Sequence, residues 1–80
     1  MKHQKNHFLN LVNLRCPDPI IRIRNKLREI KFNETILIYS DDPSTKRDIP
    51  KLCCFMGHTL IHCYLNVIPY KYLLKKGKKI

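Results

Sequence analysis

The spacing of apolar residues divides the chain into six short elements. Residues 19–30, PIIRIRNKLREI, place Ile20, Ile23, Leu27 and Ile30 three and four positions apart, with Arg22, Lys26, Arg28 and Glu29 off that stripe. This is one apolar face of an amphipathic helix. Asp18 suits its N-cap and Pro19 its first helical position. Residues 8–14, FLNLVNL, bring Phe8, Leu9, Leu11 and Leu14 into a pattern that predicts a short strand. Residues 35–40, TILIYS, form a continuous, partly β-branched apolar run, as a buried central strand does. Asp41-Asp42-Pro43 stops it, and Ser44 is placed to cap a second helix over roughly 45–56. Ile49, Cys53 and Met56 make the inner stripe of that helix, with Leu52 beside them. Pro50 falls early in it, and Gly57 suits the left-handed residue that ends it. Residues 59–66 and 70–75 read as two further strands, with Pro69 in the turn between them.

The order is therefore β-α-β-α-β-β. A parallel first βαβ unit with a right-handed crossover puts both helices on one face. The expected fold is α+β: a two-layer α/β sandwich, with a four-stranded mixed sheet and two helices on one side. Eighty residues without repeat, linker or composition break suit one domain over 1–80, with short basic tails at 1–7 and 75–80.

Charge first suggests a nucleic-acid partner. The chain has sixteen basic and six acidic residues, a net charge of +10. Residues 8–70, however, hold nine of the bases and all six acids, so most of the excess is terminal. Ala is absent while Ile, Lys and Asn abound, a bias that AT-rich coding also produces. Tyr70 and Tyr72 with Lys71 are the candidates for a base-stacking platform, and they fit an ordinary strand equally well. No apolar run is long enough for a signal peptide or a membrane span. The expectation is a cytoplasmic protein with reduced cysteines and no membrane partner.

The sharpest local feature is Leu14-Arg15-Cys16-Pro17-Asp18-Pro19. A cysteine just ahead of a helix sits in a field that favours thiolate, and Arg15 adds a cation. Pro17 and Pro19 lack N–H donors and Asp18 is a like charge, so the helix supplies field and rigidity more than hydrogen bonds. The alternative is that Cys16 merely packs beneath the helix. A strand-to-helix junction is nevertheless where ligands gather in open α/β layers.

A disulfide oxidoreductase needs a second cysteine at C-x-x-C, where this chain has Pro19. Cys–His hydrolysis needs a base, and His58 and His62 have no evident Asn or Asp partner. A persulfide carrier needs only an accessible, ionisable thiol and a docking surface, with no cofactor or metal. Cys53 and Cys63 read as core and Cys54 as facing elsewhere. A zinc site from Cys53, His58 and Cys63 lacks the usual paired spacing. His3 and His7 fall in the N-terminal tail. Asp41 and Asp42 could hold a cation, but acids before Pro-Ser more often end a strand and cap a helix. Arg22, Lys26 and Arg28 offer either a docking face for acidic partners or an ordinary solvated face.

LRCPDP followed by an Arg-bearing helix resembles the C-P-x-P signature of the TusA/SirA-like sulfur carrier family. A second block, Asp41-Asp42-Pro43 through Arg47-Asp48-Ile49-Pro50 to Cys53, Phe55, Met56 and His58, resembles the same family, as does the ending Pro69-Tyr70-Lys71-Tyr72-Leu73. Three blocks in order cover nearly the whole chain. The resemblance implies the same two-layer sandwich. It also implies a sulfurtransferase that carries sulfur as a persulfide on Cys16, with Arg15, Pro17, Asp18 and Pro19 supporting the site. The implied donor is a cysteine desulfurase. The implied acceptor is a downstream sulfur-relay protein complex serving 2-thiouridine formation at the tRNA wobble position, with tRNA engaged only indirectly. Sulfur supply to molybdenum cofactor synthesis is another role the resemblance implies. Many members have Gly at position 13 and Asp at position 10. Asn13 keeps a turn possible, because Asn tolerates positive φ, whereas Asn10 puts a local salt bridge or cap in doubt.

Overall fold

A computed structural model describes residues 6–77. Six elements follow in the expected order: β1 (Asn6–Asn10), α1 (Asp18–Glu29), β2 (Thr35–Ser40), α2 (Thr45–Met56), β3 (Thr59–Tyr64) and β4 (Tyr70–Lys75). The strands form one mixed sheet in the order β1-β2-β4-β3. β1 runs parallel to β2, while β4 is antiparallel to both β2 and β3. Both helices lie on one face, so the fold is the α+β sandwich that the periodicity predicts.

Alternation along the strands decides which side chains meet the helices. Ile36, Ile38 and Ser40 of β2 and Tyr70, Tyr72 and Leu74 of β4 are buried toward α1 and α2. Ile23, Leu27 and Ile30 from the first helical stripe and Ile49, Leu52 and Cys53 from the second complete the core. Ile20 and Met56 pack against it less fully. Tyr70 and Tyr72 therefore face the helices, which removes them as a base-stacking platform.

β1 begins and ends earlier than the apolar pattern suggests. Leu11 adds one more ladder bond to the Tyr39 carbonyl (2.8 Å), and then the chain turns, with Leu14 N–H reaching the Leu11 carbonyl (3.1 Å). The turn, rather than a strand, brings Leu11 and Leu14 onto the core. Asn13 takes φ 75°, in the left-handed region that Asn tolerates. The Asn10 side-chain oxygen accepts the Val12 N–H at 3.1 Å, so an amide supplies the local bond without a carboxylate.

Three other expectations shift. Pro17, not Asp18, occupies the N-cap of α1, without a side-chain cap bond; Asp18 is the first helical residue, where its charge still suits the dipole. Pro50 is the sixth residue of α2, beyond the first turn, so the Lys46 carbonyl loses its usual i+4 donor. Cys63 is exposed rather than core: it lies late in the edge strand β3, past a register shift between Leu60 and His62.

The ends of the described chain are built into the fold. His7 lies in β1 and its Nε2 meets Glu34 Oε1 at 2.9 Å. The Lys31 N–H first, and His7 second, hold the Glu34 carboxyl below its ordinary value. Lys75 closes β4, and Lys76 exchanges backbone bonds with Asn33 and Glu34. The Lys76 ammonium donates to the carbonyls of Leu27 and of Ile30 (3.1 Å), the unpaired acceptors at the end of α1. Gly77 passes so close to the Gly57 carbonyl that a Cβ would sit 1.7 Å from it. Lys2, His3 and Lys5 at one end, and Lys78 and Lys79 at the other, lie outside the described residues.

Lys76 is thus a helix cap. Lys76→Met removes both bonds to α1 and is expected to cost about 1–2 kcal/mol. At roughly 4–8 °C per kcal/mol for a domain of this size, thermal unfolding should show the loss plainly. Lys75→Met should shift the midpoint much less.

Candidate functional site

Cys16 sits in the connection from β1 to α1, one residue before the N-cap, and is exposed. What fixes it is not α1 alone. Its backbone N–H donates to Asp42 Oδ2 at 2.8 Å, across 26 residues of sequence. The same carboxylate accepts the Ser44 N–H through Oδ1 (3.1 Å). Asp42 also receives, on its backbone carbonyl, the Thr45 N–H (3.0 Å) and the Thr45 hydroxyl (2.7 Å). With its own hydrogen committed there, the Thr45 hydroxyl accepts from the Tyr72 hydroxyl at 2.9 Å. A continuous path of hydrogen bonds thus runs from a fully buried tyrosine of β4 to the backbone of Cys16. Ser44 holds the cap position of α2 but makes no side-chain cap bond; Asp42, two residues upstream, takes the Ser44 N–H on its carboxylate and the Thr45 N–H on its carbonyl as the chain enters the helix.

Asp41 braces the same connection from the surface. Its Oδ1 accepts the Asn13 N–H (3.0 Å) and pairs with the Arg15 guanidinium (2.8 Å). Those two bonds, the Asn13 amide first, hold its carboxyl below the ordinary value. Arg15 also donates to the Leu14 carbonyl. The arginine expected to add a cation beside Cys16 is paired with Asp41. The two acids end a strand and tie two loops together, which occupies them; among the described residues no group of three metal-ligating side chains occurs.

Cys16 opens onto an apolar groove of about 730 Å³ between the two helices. Pro17, Ile20 and Arg24 line it from the α1 side, and Asp48, Lys51, Leu52, Cys54, Phe55 and Met56 from α2. Phe55 is 86% exposed at its rim. Pro19 points into the core, and Asp18 is exposed at the start of α1. Arg22 and Lys26 line a different, smaller recess with Leu9, Asn25 and Glu29, so they do not share the groove of Cys16. Arg24 and Lys51 are its basic residues. Sequence reading missed them, together with Cys54 and Phe55, because α1 and α2 meet only in the tertiary structure. The i, i+4 step from Ile20 to Arg24 was the available signal.

The remaining candidates lie elsewhere. No histidine lines the groove. His58 is buried, and its Nδ1 accepts the Gly77 N–H. Burial first, and the Lys76 charge second, push its pKa below 6.5, so the folded ring favours the neutral form. Burial lifts the Cys53 thiol to about 11, which suits a core residue and opposes nucleophilic use at neutral pH. Cys16 and Cys54 are the exposed thiols on the groove.

The Asp42 link carries a pH signature. Burial works to raise its pKa, but hydrogen bonding by Ser44, the Cys16 N–H and the Arg15 charge together leave it below 3.8. A lowered carboxyl contributes stability that is complete above the unfolded value and disappears as pH falls through the folded one. Wild type should therefore lose stability as pH drops below 3.8, and Asp42→Asn should lack that part of the loss. At neutral pH the same substitution is expected to cost roughly 1–3 kcal/mol, read by urea unfolding.

The comparison with known families agrees with this arrangement. A family model described as sulfurtransferase TusA matches residues 7–76, from β1 to the residue after β4. An exposed cysteine at a proline-flanked strand-to-helix junction, on the two-layer fold, over nearly the full length of the chain, places this protein in the TusA family of sulfurtransferases, whose general role is to carry sulfur.

Proposed function

We propose that Cys16 accepts sulfane sulfur from a cysteine desulfurase, holds it as a persulfide and passes it to a downstream relay protein. The Cys16 thiolate attacks the terminal sulfur of the donor's persulfide. The donor S–S bond breaks, the donor cysteine leaves as a thiolate, and a new S–S bond forms on Cys16. In the second step an acceptor thiolate attacks that terminal sulfur and Cys16 leaves as a thiolate. The sulfane sulfur keeps its oxidation state throughout, so neither an oxidant nor a metal takes part.

The observation that carries this reading is the presentation of Cys16. Its thiol is exposed at the mouth of a groove while its backbone is anchored through Asp42 to the core. A carrier must offer its sulfur to two partners in turn, so it needs an open thiol on a fixed support rather than a closed pocket. Pro19 in place of a C-x-x-C cysteine leaves no near neighbour in sequence to expel the carried sulfur. Arg24 and Lys51 beside an apolar surface suit docking of a partner segment that is apolar and acidic. Pro17 and Pro19 stiffen the support, Arg15 secures it through Asp41, and Asp18 completes the first turn of α1.

The destination follows the family: 2-thiouridine at the tRNA wobble position, through relay proteins in the cytoplasm. Supply of sulfur to molybdenum cofactor synthesis uses the same chemistry at Cys16 and differs only in the acceptor.

Incubation with a cysteine desulfurase and cysteine should add the mass of one sulfur to the intact protein, removable by dithiothreitol. Cys16→Ser should gain none, whereas Cys54→Ser and Cys63→Ser should gain it as wild type does. Undiminished uptake by Cys16→Ser, or none by wild type, would reject the assignment.

A further inference from the structure

The helices cover one face of the sheet; among the described residues, nothing covers the other. The register defines what stands there. Tyr39 pairs with Lys71 across β2 and β4, and Lys71 pairs with Tyr64 across β4 and β3. Phe8 lies on the same face from β1, its ring 4.9 Å from Tyr39 and nearly perpendicular to it. The Lys71 ammonium rests 5.4 Å from the centre of the Tyr39 ring. His62 and Tyr64 on β3 lie with rings 27° apart and centroids at 6.0 Å. Phe8 is 53% exposed and Tyr64 56%. Aromatic rings thus stand on three of the four strands, β1, β2 and β3, across about 14 Å at ordinary strand spacing, with Lys71 of β4 among them.

The acids are kept off the sheet. None of the four strands contains an acid. All six acids of the chain lie in the helices or in the loops, and Glu34 and Asp41, which bracket β2, are held by His7 and Arg15. The open face offers Lys71 and Lys75 with no anion of its own. A second copy of the chain would bring the same cations against them. An acidic protein surface would use the lysines but leave the ring faces without a specific partner.

We propose that the open face of the sheet binds an unpaired nucleic-acid strand, with bases stacked on Phe8 and Tyr64 and phosphates met by Lys71 and Lys75. Every base offers a π-face, so this recognition tolerates sequence, and it requires single strands because a duplex hides those faces. The face lies opposite the helix layer, and Cys16 belongs to the connection that leads into that layer. Sulfur transfer and strand binding thus occupy separate surfaces, and the proposal stands whether or not Cys16 carries sulfur.

The test is fluorescence anisotropy of the full-length protein with a short fluorescein-labelled RNA of unpaired sequence, beside the same RNA annealed to its complement, at ~0.15 M salt. Saturable binding of the single strand is expected, with the duplex clearly weaker. Phe8→Leu and Tyr64→Leu keep apolar bulk at exposed positions but remove the ring; each should weaken binding roughly five- to hundredfold, with an unchanged circular dichroism spectrum. Lys71→Gln should lower the slope of log affinity against log salt by about one. Cys16→Ser should bind as wild type. Equal affinity for duplex and single strand, wild-type affinity in both ring variants, or no saturable binding would overturn the proposal. So would a dimer in sedimentation that Phe8→Leu dissolves, in a protein that does not bind the RNA.

Discussion

The hydrogen bond from the Cys16 backbone to the Asp42 carboxylate is the constraint on which the site depends. Two loops that are far apart in sequence, β1–α1 and β2–α2, emerge at the same end of two adjacent parallel strands. Nothing in parallel pairing obliges the loops themselves to meet. Asp42, with Asp41 beside it on Asn13 and Arg15, makes them meet, one carboxylate oxygen of Asp42 serving each loop. Its position is set in turn by Thr45 and by Tyr72, whose ring is fully buried in the sheet–helix interface. Core packing is in this way transmitted to an exposed thiol by four polar groups in series. A buried polar path of this kind holds only when every member is satisfied, and here each donor on it has an acceptor.

That arrangement resolves a conflict within the C-P-x-P segment. Two prolines deprive the start of α1 of N–H groups that would otherwise grip an anion or a neighbouring loop. The Cys16 N–H is the donor immediately ahead of them, and Asp42 takes it. The segment is stiff because of its prolines; the Asp18 N–H between them turns back to the Arg15 carbonyl, and the Cys16 N–H anchors the segment to Asp42. The thiol itself enters none of these bonds and stays open to a partner. The groove beside it is apolar and lightly basic, and it belongs to both helices, so its shape depends on how α1 and α2 pack.

The order of elements and both helical stripes were legible because period and burial coincide there: Ile23, Leu27, Ile49 and Cys53 are core residues at helical spacing. Cys16 was legible because its neighbours are chemically unusual. β1 was shifted because Leu11 and Leu14 reach the core through a turn, which an alternating pattern cannot distinguish from a strand. Cys63 was misread because an apolar strand looks the same in the middle of a sheet and at its edge. Lys76 passed for a basic tail, since its partners, the carbonyls of Leu27 and Ile30, lie more than forty residues away. The role of Asp42 was half visible. Asp-Asp-Pro-Ser announces a turn and a cap, but the bond to Cys16 is a tertiary contact with no local signature. The aromatics of the open face were hidden for the same reason: Phe8, Tyr39 and Tyr64 are isolated in sequence and become neighbours only through register.

Amide hydrogen exchange at Cys16 tests the anchoring most directly. In the folded protein at neutral pH the Cys16 N–H should exchange far more slowly than an unstructured amide. In Asp42→Ala it should approach the unstructured rate, while Ile38 and Leu74 in the sheet remain protected. A Cys16 amide that exchanges freely in wild type, or one that stays equally protected without the Asp42 carboxylate, would contradict the account.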